Sequence, residues 1–312
     1  MKTPLLAILA ALLLAVPVFA ADAPALRYFT QPPGVSGSAA PYGDNPAAGA
    51  YAQAEDAKIY YETYGEGRPL FVFHGGGVGS PYELGRMLDE LRKHFQVVVV
   101  STRGHGRSEI GTEPLTYEQK AEDMLAVMRA VTDKPAPVLG FSDGAYAAYK
   151  LAAMHPETVE RIAAIGAGAL EPGAFPPDMR VEDMERIDRA YVDQLRRLMP
   201  EPERLQEFWT AYMAFWSRMR VGREVFEAIR CPVLLLTGDE DDHAPVLSVL
   251  AAHQMIPNSR LCVAPKAWHT AFLDNFPVTW AAIEQFLLAE LDTLRPAKKL
   301  EQNAVKQRVD PR

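Results

Sequence analysis

The sequence is poor in cysteine, in basic charge and in long apolar runs. Two cysteines among 312 residues, Cys231 and Cys262, with no C-x-x-C spacing, cannot supply a disulfide framework. Both fall on expected neighbouring strands, Cys231 at the start of one and Cys262 late in the other. That offset places their Cα atoms beyond the ~7 Å limit for bridging, so two buried free thiols without a catalytic role are expected. Acids outnumber bases by 40 to 32, for a net charge of −8. This argues against a nucleic-acid partner, which needs a basic face. The long apolar run is Leu5 to Val16, short of the ~20 residues that span a bilayer. No internal repeat is visible.

That run follows Lys2 and precedes Val18-Phe19-Ala20, a small-x-small site. We read residues 1–20 as a secretory leader cleaved before Ala21, over the alternative of a transmembrane anchor. Export to the periplasm or medium is then expected, with no stable membrane anchor after cleavage. With no cysteine near the site, no lipid attachment is expected either. Cleavage removes one base, Lys2, and no acid, which takes the net charge from −8 to −9. Residues 21–50 are rich in Ala, Pro and Gly and read as a linker that lies along the surface or is disordered. The tail, 293–312, carries Lys298, Lys299, Lys306 and Arg308 and reads as a frayed end. The whole chain is 48% hydrophobic and 23% charged, an ordinary globular composition.

Between these ends, short apolar runs alternate with helical patterns. Strands are expected at Ala50 to Ala54, Lys58 to Tyr64, Leu70 to Phe73, Gln96 to Val100, Ala136 to Leu139, Arg161 to Ala169, Cys231 to Thr237 and Arg260 to Ala264. Helices are expected at Tyr82 to His94, Thr116 to Val131 with Thr116 as its cap, Ala145 to His155, and Trp280 to Leu291. Wholly apolar strands separated by helices imply a mostly parallel sheet covered on both faces. Residues 171–227 break this rhythm. They contain no strand pattern, and Met184, Ile187, Tyr191, Leu195 and Leu198, then Phe208, Tyr212, Phe215, Trp216 and Met219, fall at helical spacing. Two or three inserted helices forming a lid are expected. Their aromatic stripe reads first as packing, with a substrate pocket lined by some of Trp209, Tyr212 and Trp216 as the alternative.

The chemistry centres on Gly140-Phe141-Ser142-Asp143-Gly144. An apolar run, Gly-x-Ser-x-Gly and a helix form the context of a nucleophile elbow, in which a strained turn exposes the serine hydroxyl. Serine needs a base to take its proton, and the base needs a carboxylate to hold its tautomer. Such hydrolases order these groups Ser, then acid, then His. Among seven histidines, His269 has the required place, on a loop after the last strand and before the closing helix. His74 and His105 read as loop braces, His94 and His155 as helix-end residues, His253 as structural, and His243 as a less favoured pocket-edge residue. The acid should follow the strand ending at Thr237, where Gly238-Asp239-Glu240-Asp241-Asp242 offers four carboxylates. Periodicity does not choose among them. An oxyanion hole needs two backbone N–H donors, one from Asp143 and one from the loop His74 to Gly77.

With these residues in place, the chain resembles the α/β-hydrolase superfamily, from about Tyr51 to Leu291. The resemblance is carried by His74-Gly75-Gly76-Gly77, Arg103-Gly104-His105-Gly106-Arg107-Ser108, the Ser142 elbow, Gly238-Asp239-Glu240-Asp241 and His269. It implies an eight-stranded α/β-hydrolase sheet with its core at 51–170 and 228–292 and a helical cap at 171–227. It further implies Asp241 as the acid and Gly76 as the second oxyanion donor. Relatives often carry Asp where this chain has Ser101, a departure that implies a looser loop. Ser142 disfavours the members that use an Asp nucleophile. The resemblance implies a capped serine hydrolase acting on a small-molecule ester, thioester or lactone, without metal or organic cofactor. It also admits carbon–carbon bond hydrolysis and cofactor-free perhydrolysis with the same triad. A non-catalytic binding protein of this fold is the reading from another class, and the intact Ser, Asp and His argue against it.

Overall fold

Eight runs, the inner ones largely apolar, pair into one sheet in the computed structural model, which describes residues 25–174 and 178–294. The leader at 1–20 and most of the charged tail lie outside the described residues. The strands are β1 (Gly49–Gln53), β2 (Lys58–Tyr64), β3 (Pro69–Phe73), β4 (Gln96–Val100), β5 (Ala136–Phe141), β6 (Val159–Ile165), β7 (Val233–Gly238) and β8 (Ser259–Ala264). Their order is β1-β2-β4-β3-β5-β6-β7-β8. Only β2 runs antiparallel to its neighbours, pairing Tyr61 with Val100 on one side and Tyr51 with Tyr60 on the other. The central strands are buried on both faces, as wholly apolar runs require. Fully burying one such valine or leucine side chain contributes about 1.5–3 kcal/mol.

Parallel neighbours need crossovers, and helices supply them. They are α1 (Gly85–Leu91), α2 (Tyr117–Val131), α3 (Asp143–Met154), α4 (Val181–Leu198), α5 (Leu205–Arg218), α6 (Arg223–Phe226), α7 (Val246–Met255), α8 (Ala271–Asp274) and α9 (Phe276–Leu288). The Thr116 hydroxyl accepts the Gln119 N–H at 3.0 Å and caps α2. Several boundaries differ from those expected. A 3-10 turn at Pro81–Leu84 precedes α1, which ends before His94 so that Phe95 can enter the core. β6 ends at Ile165, because Gly166 turns the chain out of the sheet at φ +64°. α9 begins four residues before Trp280, where Asn275 accepts the Val278 N–H and Pro277 occupies the first turn.

Cys231 is buried just before β7, and burial pushes its thiol up to about 12. Cys262 lies on edge strand β8 opposite Leu236 and is half-buried, not buried as expected. Both thiols are free. An edge strand has no neighbour to cover its outer side, which is why Cys262 keeps its exposure.

The insertion between β6 and β7 holds α4, α5 and α6. Val181, Tyr191, Val192, Leu195, Leu205, Phe208, Trp209 and Tyr212 form its own apolar cluster. α4 is kinked at Asp188 (φ −149°, ψ 80°), whose carboxylate accepts the Tyr191 N–H like a second helix cap. The same carboxylate accepts from the Thr30 N–H at 2.9 Å and Arg27 at 2.8 Å. Gln194 bonds both the N–H and the carbonyl of Arg27. The described part of the N-terminal extension therefore lies along the surface and straps α4. Farther on, Tyr42 is buried, and Asp44 pairs with Arg107 and Arg197.

That extension is fastened to the sheet through Glu62. Its buried carboxylate accepts from the Gly43 and Asn45 N–H groups and from the Tyr60 and Tyr64 hydroxyls. Burial raises the Glu62 pKa, with these four donors opposing it. Glu62→Ala strands the buried Gly43 N–H and the half-buried Asn45 N–H, and a loss of about 3 kcal/mol is expected. Urea unfolding followed by circular dichroism measures it; a shift below about 1 kcal/mol would show that the extension contributes little to the fold.

Candidate active site

The turn from β5 into α3 places Ser142 at φ +49°, ψ −116°, a conformation that side-chain-bearing residues rarely adopt. A Cβ at Gly140 would lie 2.6 Å from Ala145 Cα, and one at Gly144 would lie 2.5 Å from the Phe73 carbonyl oxygen. The two glycines thus let α3 leave the sheet at once. Ser142 Oγ lies 2.9 Å from His269 Nε2, and His269 Nδ1 lies 3.0 Å from both oxygens of Asp241. Residues separated by 127 positions in the chain meet here because β5, β7 and β8 all end on the same side of the parallel sheet.

Of the four carboxylates after β7, Asp241 alone is buried; Asp239, Glu240 and Asp242 face water. Asp241 accepts from the His243 and Ala244 N–H groups at 2.9 and 2.8 Å and from the Thr237 hydroxyl at 3.1 Å. Burial raises its pKa, but His269 and these donors outweigh that and hold it below the ordinary value. An ionised carboxylate cannot donate, so the proton between the two groups sits on His269 Nδ1. Nε2 is then left with its lone pair toward the Ser142 hydroxyl.

Gly76 faces the elbow across the site; a Cβ there would lie 3.0 Å from the Cβ of Asp143. The rest of the loop is braced from behind. His74 bonds the Gly75 carbonyl at 2.6 Å and accepts the Thr102 N–H at 3.1 Å. Burial pushes His74 down to about 3 and His105 down to about 4, so both rings are neutral. The loop after β4, which begins at Ser101, is held through its arginine. Arg103, 1% exposed, forms a fork with Asp123 at 2.8 Å and reaches Asp56 at 2.6 Å. His155 instead pairs with Glu122 and His253 with Ser259.

Three features were not legible beforehand. His243 stacks on His269, with ring centroids 4.7 Å apart and planes 25° apart, closer to the base than a pocket-edge residue. Glu83 accepts the Gly75 N–H at 3.3 Å and so steadies the glycine loop. Lys120, on the first turn of α2, is buried and paired with Asp143 at 2.6 Å. The aromatic stripe divides. Trp209 and Tyr212 are both buried in the insertion's apolar cluster; Trp216 donates to Asp143 at 3.1 Å, and the Tyr212 hydroxyl hydrogen-bonds the same carboxylate and accepts from Lys120 at 3.2 Å. A cavity of about 320 Å³ nearby is walled by Tyr117, Tyr146, Phe215, Met219 and Val221, and by none of those three.

Asp241, His243 and His269 bring possible metal-ligand atoms within 4.8 Å of one another. The donor set suits an ion poorly. Both nitrogens of His269 are already committed, and stacked imidazoles direct their in-plane lone pairs side by side, not toward one point.

The family described as the alpha/beta hydrolase fold matches residues 68–207. The human "Serine hydrolase BPHL" is 25% identical over 258 residues, covering 77% of this chain and 87% of that protein. Among solved structures, a serine hydrolase of carbazole degradation superposes with a TM-score of 0.66 at 18% identity, over 77% of this chain and 99% of that one. The enol-lactonase from Burkholderia xenovorans superposes with a TM-score of 0.63 at 22% identity, over 77% and 100%. The chain has the α/β-hydrolase fold, and the family model, the relatives and the solved structures it is similar to are those of hydrolases.

Burial pushes the Glu83 carboxyl up to about 8 from its ordinary 4.5, with the Gly75 and Ser80 N–H groups opposing it. Between those values the folded chain keeps a proton that the unfolded chain has released, so this group's contribution to stability is lost as pH rises. The Glu83→Gln variant is therefore expected to gain on wild type between pH 4.5 and about 8 in urea unfolding. A stability difference that stays constant with pH would show that Glu83 titrates at its ordinary value in the folded chain.

Proposed function

We propose that the protein is an exported serine hydrolase that cleaves a small carboxylic ester, thioester or lactone through an acyl-enzyme. The observation that carries this reading is the unbroken chain from Ser142 Oγ through His269 to Asp241. Ser142 attacks the substrate carbonyl as His269 Nε2 takes its proton. Asp241 holds the imidazole in the required tautomer and stabilises the imidazolium. The Gly76 and Asp143 N–H groups receive the oxyanion, each worth about 3 kcal/mol to the transition state. His269 then protonates the leaving group, and water, deprotonated by the same base, releases the acid. Export rests on the leader-like residues 1–20. Among the described residues no helix is long and apolar enough to cross a membrane.

A fluorophosphonate probe is expected to label the wild type at Ser142 and to leave Ser142→Ala unlabelled. A folded wild type that stays unlabelled would favour the binding-protein reading. Asp241→Asn should lower kcat about 10⁴-fold on a p-nitrophenyl ester, by loss of the productive tautomer. Asp239→Asn and Asp242→Asn should stay within about threefold of wild type, since surface substitutions leave the triad geometry alone. The reverse ranking would move the acid elsewhere in the loop.

A further inference from the structure

The residue after Ser142 poses an electrostatic problem. Asp143 is 1% exposed, and its carboxylate belongs to the same residue whose N–H is read above as an oxyanion donor. A bare carboxylate so close to a developing oxyanion, in a water-poor site, would repel it. Burial does not discharge the group by protonation: it raises the Asp143 pKa, but Lys120 and the surrounding donors outweigh it and keep the carboxyl below its ordinary value.

The structure shows how the charge is balanced. Lys120, 3% exposed, sets its ammonium 2.6 Å from Asp143 Oδ2. Oδ1 accepts from the Trp216 indole at 3.1 Å and the Tyr117 hydroxyl at 3.2 Å. Lys120 also reaches the Tyr212 hydroxyl at 3.2 Å. Both carboxylate oxygens are therefore engaged, and the pair carries no net charge. Helix α2, the elbow and cap helix α5 are joined at this point. Neighbouring His74 and His105 are neutral, held down first by burial and in part by the Lys120 charge itself, so the ammonium is the cation beside Asp143.

We propose that Lys120 is a positioning residue of the reaction, cancelling the Asp143 carboxylate so that the N–H of Asp143 can face an anion. The proposal rests on the serine-hydrolase reading. It separates two roles of one residue: the Asp143 side chain gathers three elements, while its peptide N–H serves the oxyanion. The two roles are compatible only with a buried cation beside the carboxylate.

The test is the pH profile of kcat on p-nitrophenyl acetate for Lys120→Met, Asp143→Asn and the double variant, with fluorophosphonate labelling alongside. In Lys120→Met the Asp143 carboxyl loses its cation, and desolvation raises its pKa. It is neutral at low pH and becomes an unbalanced anion as pH rises, so kcat should fall along a new limb between about pH 5 and 9. Above that limb the loss should be about 10²-fold in kcat, comparable to loss of one oxyanion donor, with KM within about threefold. In Asp143→Asn the unpaired ammonium of Lys120 should titrate in the same range and add its own limb. The double variant holds neither charge and should lack both limbs.

A pair that only packs the fold would lower activity or stability without changing the shape of the profile, so wild-type-shaped profiles in folded single variants overturn the proposal. If neither single variant folds, the double variant decides. Recovery of its fold and of Ser142 labelling supports charge cancellation, and failure to recover both overturns it. A wild type that does not label defeats the serine-hydrolase reading instead. A labelled wild type with unaltered profiles in the single variants defeats only this inference.

Discussion

The backbone at Ser142 is the constraint to which the rest of the site answers. Its φ of +49° and ψ of −116° cost an ordinary residue on the order of 1–3 kcal/mol, held by the structure around it. That structure is specific. The Ser142 N–H bonds the Ile165 carbonyl of β6 at 2.8 Å, and its carbonyl accepts from Ala145 and Tyr146 in the first turn of α3. The glycines on either side let the strand and helix close around it. The strain puts one hydroxyl at the tip of a sharp turn, in front of the carboxyl ends of the parallel strands, where every other functional group also arrives.

Parallel topology explains that convergence. Each of β3 to β8 delivers its C-terminal loop to the same edge of the sheet, and consecutive strands can be far apart in the chain. β3 brings the glycine loop, β4 the Arg103 loop, β5 the elbow, β7 Asp241 and β8 His269. The helical insertion packs beside them, and Ser142 is 7% exposed. The insertion is tied down from two directions. Tyr191 of α4 donates to the Val78 carbonyl at 2.7 Å, and Trp216 of α5 donates to Asp143. The N-terminal extension adds a third tie by strapping α4 at Asp188 and Gln194.

Buried charge recurs at the joints of this fold. Arg103 with Asp123, Glu62 with its four donors, and Lys120 with Asp143 each sit where elements distant in sequence meet. Such groups add little net stability over an apolar contact of equal volume, but a misplaced partner is costly. Docking α2 beside the elbow in another register would leave the Lys120 ammonium buried without Asp143.

Much of this was legible in the chain itself. Local patterns carry the strands, since a wholly apolar run such as Val97 to Val100 suits only a sheet buried on both faces. The elbow is legible because Gly-x-Ser-x-Gly between strand and helix is a local geometric requirement, and His269 because chain order follows from strand order. The choice of Asp241 among four adjacent carboxylates, the stacking of His243 on His269 and the pairing of Lys120 with Asp143 belong to the tertiary structure. Each depends on which way a side chain turns relative to residues tens of positions away, and neighbouring positions in a loop or on a helix carry no record of that. The sequence determined which groups the chain can bring to the strand ends; packing of the helices on the sheet decided which of them face one another.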